Sequence, residues 1–141
     1  VDNGIMARIF KEAPVNTIWE GSGNVMCLDV LRAIQREPES IEVLFQDLAS
    51  TAMQDETLKN ELQSLFKLLQ QSPEDLQFMG RSLVSRLVIL AQAVLLKRHA
   101  PDFVAHGFIQ SRYRAFHGQV VGMLNSRDVD VEQLLQRAFA S

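Results

Sequence analysis

The sequence predicts an all-α protein built as a helical bundle. Apolar residues recur at the three- and four-residue spacing of amphipathic helices along most of the chain, and no run shows the alternating pattern of a half-buried strand. The composition favours a folded domain, because 47% of the 141 residues are hydrophobic and only 7 Gly and 4 Pro are present. A chain of this length can bury a substantial core in about five to six helices.

The first predicted helices are apolar stripes that end at clear breaks. Leu28, Leu31 and Ile34 mark a helix from about residue 22 to 36, which Glu37-Pro38 ends. The stripes of the next two helices are Ile41, Leu44, Phe45 and Leu48, and then Leu58, Leu62, Leu65 and Leu69. The second of these stripes has 4-3-4 spacing, which is typical of a helix packed on a bundle.

The next helix has a strong start signal. Ser72-Pro73-Glu74-Asp75 combines a capping hydroxyl, a proline at the first helical position and acids at the positive end of the helix dipole. We expect this helix to span residues 73–99 and to be the central core helix. Its middle, Leu83 to Leu96, is apolar on nearly every side but shorter than the roughly 20 residues that cross a bilayer, so no membrane association is expected.

The rest of the chain predicts two more helices. Ala100-Pro101-Asp102 restarts the apolar pattern, and a helix is expected from there to about residue 123. A short last helix is expected behind Asp128 or Asp130.

The run Glu20-Gly21-Ser22-Gly23-Asn24 joins one carboxylate to a turn of small residues at a helix start. Gly21 and Gly23 let a ligand approach the backbone, and Ser22 or Asn24 can cap the helix and leave its first amides facing outward. Two interpretations stay open. Glu20 is either a catalytic base beside an anion or cofactor cradle, or an exposed acid at an ordinary helix start.

Charge is divided unevenly along the chain. Residues 1–80 hold 6 basic and 13 acidic groups, whereas residues 81–141 hold 8 basic and 4 acidic groups. The candidate phosphate-binding cations of the second part are Arg81, Arg86, Lys97, Arg98, Arg112 and Arg114. Gathered on one face, they would bind double-stranded DNA with strong salt dependence and little sequence preference. The alternative is that they lie on solvated helix faces.

Cysteine and histidine usage narrows the chemistry. The single cysteine, Cys27, cannot form an internal disulfide, which fits the cytoplasmic location that we expect. His99, His106 and His117 lack the i, i+3 or i, i+4 spacing of metal ligands on a helix, so no metal site is expected. The chain begins with Val1 and carries no signal-peptide pattern, so we expect a fragment of a longer protein.

A longer stretch resembles a known family. Trp19-Glu20-Gly21-Ser22-Gly23-Asn24 and Met26-Cys27-Leu28-Asp29-Val30-Leu31-Arg32 are similar to the C-terminal part of the acyl-CoA dehydrogenase superfamily, and within it to the AidB-like members. The resemblance is tight over residues 6–36 and diffuse afterwards. It implies that residues 1–36 end an acyl-CoA dehydrogenase-like C-terminal bundle and that residues 37–141 form an AidB-type helical extension.

The resemblance also implies roles for single residues. Glu20 would remove the α proton of an acyl-CoA thioester, while the turn Gly21-Ser22-Gly23-Asn24 would approach FAD. Most of the flavin site would belong to missing N-terminal domains of the same chain, so the isolated chain is expected to be free of FAD. Arg32 becomes a further DNA-contact candidate, and the whole protein is expected to be a homo-oligomer. Ser22 stands where dehydrogenases usually carry threonine, a departure that counts against ordinary acyl-CoA turnover.

Three functional hypotheses follow. In the first, the chain is a DNA-associated part of an FAD-containing protein of the alkylation-damage response. In the second, it is the C-terminal piece of an active acyl-CoA dehydrogenase with Glu20 as the base. In the third, it is an oligomerisation bundle that binds no nucleic acid.

Overall fold

The chain folds as α-helices around one long central helix. The computed structural model describes residues 4–15, 23–114 and 129–139. These residues form seven α-helices and no β-strand, which confirms the all-α fold class. The helices are α1 (Ile5–Glu12), α2 (Gly23–Arg36), α3 (Pro38–Ala52), α4 (Glu56–Leu69), α5 (Pro73–His99), α6 (Asp102–Ile109) and α7 (Val131–Ala138).

Local signals in the sequence place several helix starts correctly. α5 begins at Pro73, and the Ser72 hydroxyl accepts a hydrogen bond from the Asp75 amide at 3.2 Å. Of the two acids considered for the last helix, Asp130 is the cap, because its carboxylate accepts a hydrogen bond from the Gln133 amide at 3.0 Å. Each cap satisfies a backbone donor that the helix itself leaves without a partner.

Two features differ from the sequence-based expectation. α1 was not predicted, and no side chain caps its start at Gly4. The helix expected from residue 102 to about 123 ends as α6 at Ile109 and continues as a π-helical turn over Gln110–Arg114. The remainder of that prediction, residues 115–123, lies outside the described residues.

α5 is the core helix, as predicted, and packs against α2, α3, α4 and α6. The largest fully buried side chains are Leu58, Leu65, Leu83, Leu90 and Val94. By length and composition α5 is also apolar enough to cross a membrane, a test that the core helix of a soluble protein passes as well. Within the described bundle, 28% of its most apolar stretch is buried.

The predicted domain boundary falls at Glu37, the single residue between α2 and α3. Leu31 of α2 belongs to the same hydrophobic core as Phe45 of α3 and Leu83 of α5. The two proposed parts therefore share one core across this boundary, and their division stays a prediction.

Gly80 sets the distance between α2 and α5. A Cβ atom added to Gly80 would lie 2.8 Å from Leu31 Cδ1, closer than van der Waals contact allows.

We expect Gly80→Ala to lower the free energy of unfolding by about 1 kcal/mol, because overpacking of about 2 kcal/mol exceeds a helix-propensity gain of about 1 kcal/mol. Urea unfolding measures the change. Gly23→Ala is the control, since its Cβ would meet only Arg81 side-chain atoms at ordinary distances, and an equal loss in both variants would contradict the packing argument.

Candidate functional site

The amino end of α2 is the part of the predicted cofactor turn that the structure describes. Glu20, Gly21 and Ser22 lie outside the described residues. Gly23 is the first residue of α2, and Asn24 follows it in the helix. The helix thus begins within one residue of its predicted start.

Arg81 of α5 lies beside this helix start. A Cβ atom added to Gly23 would stand 3.8 Å from Arg81 Nη2, so the guanidinium group lies against the backbone of the first turn. The amino end of a helix carries partial positive charge, and a guanidinium binds phosphate or carboxylate oxygens well. Gly23 and Arg81, assigned to separate sites from the sequence, are therefore neighbours in the structure.

Arg86 is held within the bundle by α4. Its Nε donates to Glu61 Oε1 at 2.7 Å, and its Nη2 donates to Glu61 Oε2 at 3.0 Å and to Ser64 Oγ at 2.8 Å. Both side chains of the ion pair are partly buried, with 33% of Arg86 and 15% of Glu61 exposed. This bidentate hydrogen bonding holds the Arg86 guanidinium against α4.

Lys97 and Arg98, at the end of α5, are also paired. Lys97 Nζ donates to Asp55 Oδ2 at 3.2 Å, and Arg98 Nη1 donates to both carboxylate oxygens of Asp47, at 3.1 and 2.9 Å. Arg98 also donates to Thr51 Oγ1 at 2.8 Å. Burial alone would raise the pKa of Asp55, but hydrogen bonds from the Leu58 amide and the Lys97 ammonium hold that pKa below its usual value.

The acids in these contacts were missed by the sequence reasoning. Asp47, Asp55 and Glu61 belong to the acidic first part of the chain, and each one pairs with a cation of the basic second part. In the sequence, the unequal charge totals of the two parts are the signal that points to these ion pairs. Arg86 and Arg98 therefore connect α5 to α4 and to α3, respectively, through these ion pairs.

Two other predicted DNA contacts, Arg32 and Arg112, are exposed. Arg32 is 63% exposed and pairs with Asp29 one turn away at 2.8 Å, an arrangement that contributes little to stability. Arg112 lies over the Phe108 ring, with its Cζ atom 5.6 Å from the ring centroid. Arg114 ends the π-helical turn, and its side chain lies outside the description.

Tyr113 lies next to the Glu61–Arg86 pair. Its hydroxyl oxygen is buried and has no hydrogen-bond partner in the described part of the chain. Burial raises the pKa of Tyr113 well above its usual value, the negative charge of Glu61 raises it further, and Arg86 opposes the rise. The π-helical turn thus places a neutral phenol beside an ion pair.

We expect Tyr113→Phe to leave the free energy of unfolding unchanged, or to raise it by up to about 1 kcal/mol, near neutral pH, because no hydrogen bond is lost. An unfolded tyrosine ionises near pH 10.0, whereas the raised pKa keeps Tyr113 neutral in the folded protein. The contribution of neutral Tyr113 to the free energy of unfolding is therefore fully present below pH 10.0 and is lost as the pH rises above that value. Above pH 10.0, Tyr113→Phe should lose less stability than the wild type. Denaturant unfolding at about pH 7 and about pH 11 measures both effects. A loss of more than about 1 kcal/mol at neutral pH would show that the hydroxyl has a partner.

Among the described residues, no group of three or more His, Cys, Asp or Glu side chains is placed to hold a metal ion. Cys27 is a free, half-buried thiol on α2.

An apolar groove between α3 and α4 was not predicted. It has a volume of about 540 Å³, with Phe45 and Ala49 on the α3 side and Leu62 and Phe66 on the α4 side. A second stretch of about 240 Å³ shares Phe45 and Phe66 and continues the groove towards Pro38. Phe66 is 55% exposed, and its ring centroid lies 6.2 Å from that of Phe45. The groove is therefore an accessible apolar surface.

Comparison with known proteins gives one relative. The chain is 31% identical over 105 residues to AidB of Escherichia coli, whose name describes it as a candidate acyl-CoA dehydrogenase. The match covers 74% of this chain and 19% of AidB, so the chain spans about a fifth of that relative's length. No family model matches the chain, and no solved structure matches it.

Proposed function

Because the chain is related to an acyl-CoA dehydrogenase-family protein, as the sequence resemblance predicted, we propose that it is the C-terminal helical part of an AidB-like, FAD-containing protein. We propose further that this protein associates with DNA in the cytoplasmic response to alkylation damage. The similarity along 74% of the chain is the observation that carries the family part of the proposal, whereas DNA association rests on the sequence resemblance and on the exposed cations of the bundle. The single cysteine, Cys27, agrees with a reducing compartment.

The contacts within the bundle reduce the set of candidate DNA-binding residues. Arg86, Lys97 and Arg98 would have to break ion pairs with α3 and α4 before they bound phosphate. Arg32 lies on the exposed surface of α2, and Arg36 follows one turn later, also exposed. Residues four apart lie on the same helix face. Arg32 and Arg36 are therefore the pair to which we assign backbone phosphates, because binding there leaves the core ion pairs intact.

The double variant Arg32→Ala/Arg36→Ala is expected to weaken binding to duplex DNA alike for all sequences. The slope of log affinity against log salt should shrink by about 1.8, or about 0.9 for each phosphate contact. Fluorescence anisotropy with a labelled duplex at several salt concentrations measures both quantities. Lys59→Ala/Lys67→Ala is the matched control, because it removes two positive charges from α4 instead. Equal losses in the two variants, or no binding of the wild-type chain at low salt, would overturn the assignment.

The cofactor would belong to the whole protein. The arrangement of Arg81 beside Gly23 fits a phosphate or another anionic group, and this supports a contribution to the FAD site from Gly21-Ser22-Gly23-Asn24. When bound, the flavin supplies a hydride acceptor. In this chain, the helix start and the guanidinium would hold and orient the anion.

A second candidate function is acyl-CoA oxidation. The position of Arg81 beside Gly23 at the start of α2 supports it as well. Glu20 precedes the α2 start by three residues of the sequence, and by the family resemblance it is the candidate base for this reaction. In this function the Glu20 carboxylate takes the α proton of the thioester while the β hydrogen leaves as hydride. The whole protein, and not the 141-residue chain alone, would carry out this reaction.

A further inference from the structure

The α3/α4 groove combines an apolar floor with a polar rim, and neither proposed function uses it. Phe45 and Phe66 line both stretches of the floor. The rim residues are four apart on each helix, so each pair lies on one helix face. They are Glu42 and Gln46 of α3, and Gln63 and Lys67 of α4. An apolar floor with a few polar groups at its edge is typical of small-molecule sites, and the volume of about 540 Å³ lies in their usual range of about 300–1,000 Å³.

The dimensions of the groove favour an extended chain over a helix. Its α3 wall runs from Pro38 to Ala49, or about 16 Å at about 1.5 Å per residue. A helix about 10 Å across and as long as this wall occupies about 1,300 Å³. The two stretches of the groove, of about 540 and 240 Å³, together hold much less. Most of a docked helix would therefore stay outside, whereas a single alkyl chain is thin enough to lie on the floor between the rims.

Opposite charges stand on the two rims at one end of the groove. α3 and α4 are joined by residues 53–55, and so short a connection makes neighbouring helices antiparallel. Glu42, near the start of α3, therefore lies across the groove from Lys67, near the end of α4, and both are exposed. Neither makes an ion pair within the described residues, although four other cations of α4 and α5 do. A ligand head that carries both charges matches this end of the groove.

We propose that the α3/α4 groove binds a single-chain zwitterionic amphiphile, which is the chemistry of a lysophospholipid. The alkyl chain lies on the floor towards Ala49, the cationic group of the head binds the Glu42 carboxylate, and the anionic group binds the Lys67 ammonium. A head with one charge binds less well, because one of the two rims repels it. The groove contains neither the predicted cofactor turn nor the cations assigned to DNA, so this site is independent of both proposed functions.

Isothermal titration calorimetry with alkylphosphocholines, below the concentrations at which they form micelles, tests the site. The affinity of the 141-residue chain should rise by up to about 15-fold from the octyl to the decyl ligand, because two more methylenes are buried. Phe66→Ala should weaken binding of decylphosphocholine at least about fivefold, because it removes one side of the floor. Phe78→Ala is the matched control, since Phe78 is 85% exposed on α5 and does not line the groove. Equal losses in the two variants, an affinity independent of chain length, or binding only once micelles form would overturn the proposal.

Two rim variants test the selection of the head group, with decyl sulfate and decyltrimethylammonium as ligands of single charge. Glu42→Gln should strengthen binding of decyl sulfate and weaken binding of decyltrimethylammonium, each by up to about fivefold, and Lys67→Gln should do the reverse. Both variants should weaken binding of decylphosphocholine. They change exposed side chains and leave the floor intact, so circular dichroism should show a folded protein in each case.

Three results of these titrations would refute the zwitterion site. The first is an identical response of the two rim variants to the two ligands of single charge. The second is tighter binding of either such ligand than of decylphosphocholine to the wild-type chain. The third is binding by the 141-residue chain but not by the full-length protein, which would show that the rest of that protein covers the groove.

Discussion

Replacing Leu90 by alanine is expected to lower the free energy of unfolding by about 2–5 kcal/mol. Leu90 has no exposed surface and lies in the part of α5 that packs among the other core helices. Truncation removes apolar contacts and leaves a cavity that neighbouring leucines fill only in part. Urea or guanidinium unfolding, followed by circular dichroism, gives the change through the midpoint at constant slope.

Leu95→Ala is the matched control on the same helix. Leu95 is 51% exposed, so the same truncation should cost less than about 1 kcal/mol. Both substitutions replace a helical leucine by alanine, so both change the helix propensity by the same amount. If the two variants lost equal stability, α5 would not be the buried centre of the bundle.

Local signals explain why most of the fold was predictable. The start of α5 at Ser72-Pro73 and the break at Glu37-Pro38 depend on a few adjacent residues, so their physical cause is present in the sequence. α1 has only eight residues and no capping side chain, which leaves a weak signal for a helix. The π-helical turn at Gln110–Arg114 has no spacing signature, because such turns are rare and occur as single turns without an apolar repeat of their own.

The candidate site was less predictable, because its contacts connect distant parts of the chain. The Arg98–Asp47 and Arg86–Glu61 pairs join residues 51 and 25 positions apart, and the sequence shows only the charge totals. The stripe of α4 correctly placed Leu58, Leu62 and Leu65 in the core. It could not show which apolar side chains would remain exposed outside the stripe, as Phe66 does in the groove.

If the full-length protein carries out the proposed acyl-CoA oxidation, Glu20→Gln is expected to slow reduction of its flavin by acyl-CoA about 10²–10⁴-fold. Glutamine has nearly the shape of glutamate, yet its amide cannot accept the α proton of the thioester. Trp19 directly precedes Glu20 in the sequence, and an apolar side chain packed against a carboxylate would raise its basicity by desolvation. Anaerobic stopped-flow bleaching of the flavin absorbance measures the rate.

Two controls separate loss of the base from loss of the site. Glu12→Gln changes another acid near the amino end of the chain, on the exposed surface of α1, and should leave the rate unchanged. The flavin content of the Glu20→Gln protein should equal that of the wild type, because the proposed anion contacts of Gly23 and Arg81 remain. A normal bleaching rate in Glu20→Gln would remove Glu20 as the base. Absence of bleaching in the wild type would reject acyl-CoA oxidation while leaving DNA association through Arg32 and Arg36 to its own test, since the two functions use different residues of the same bundle.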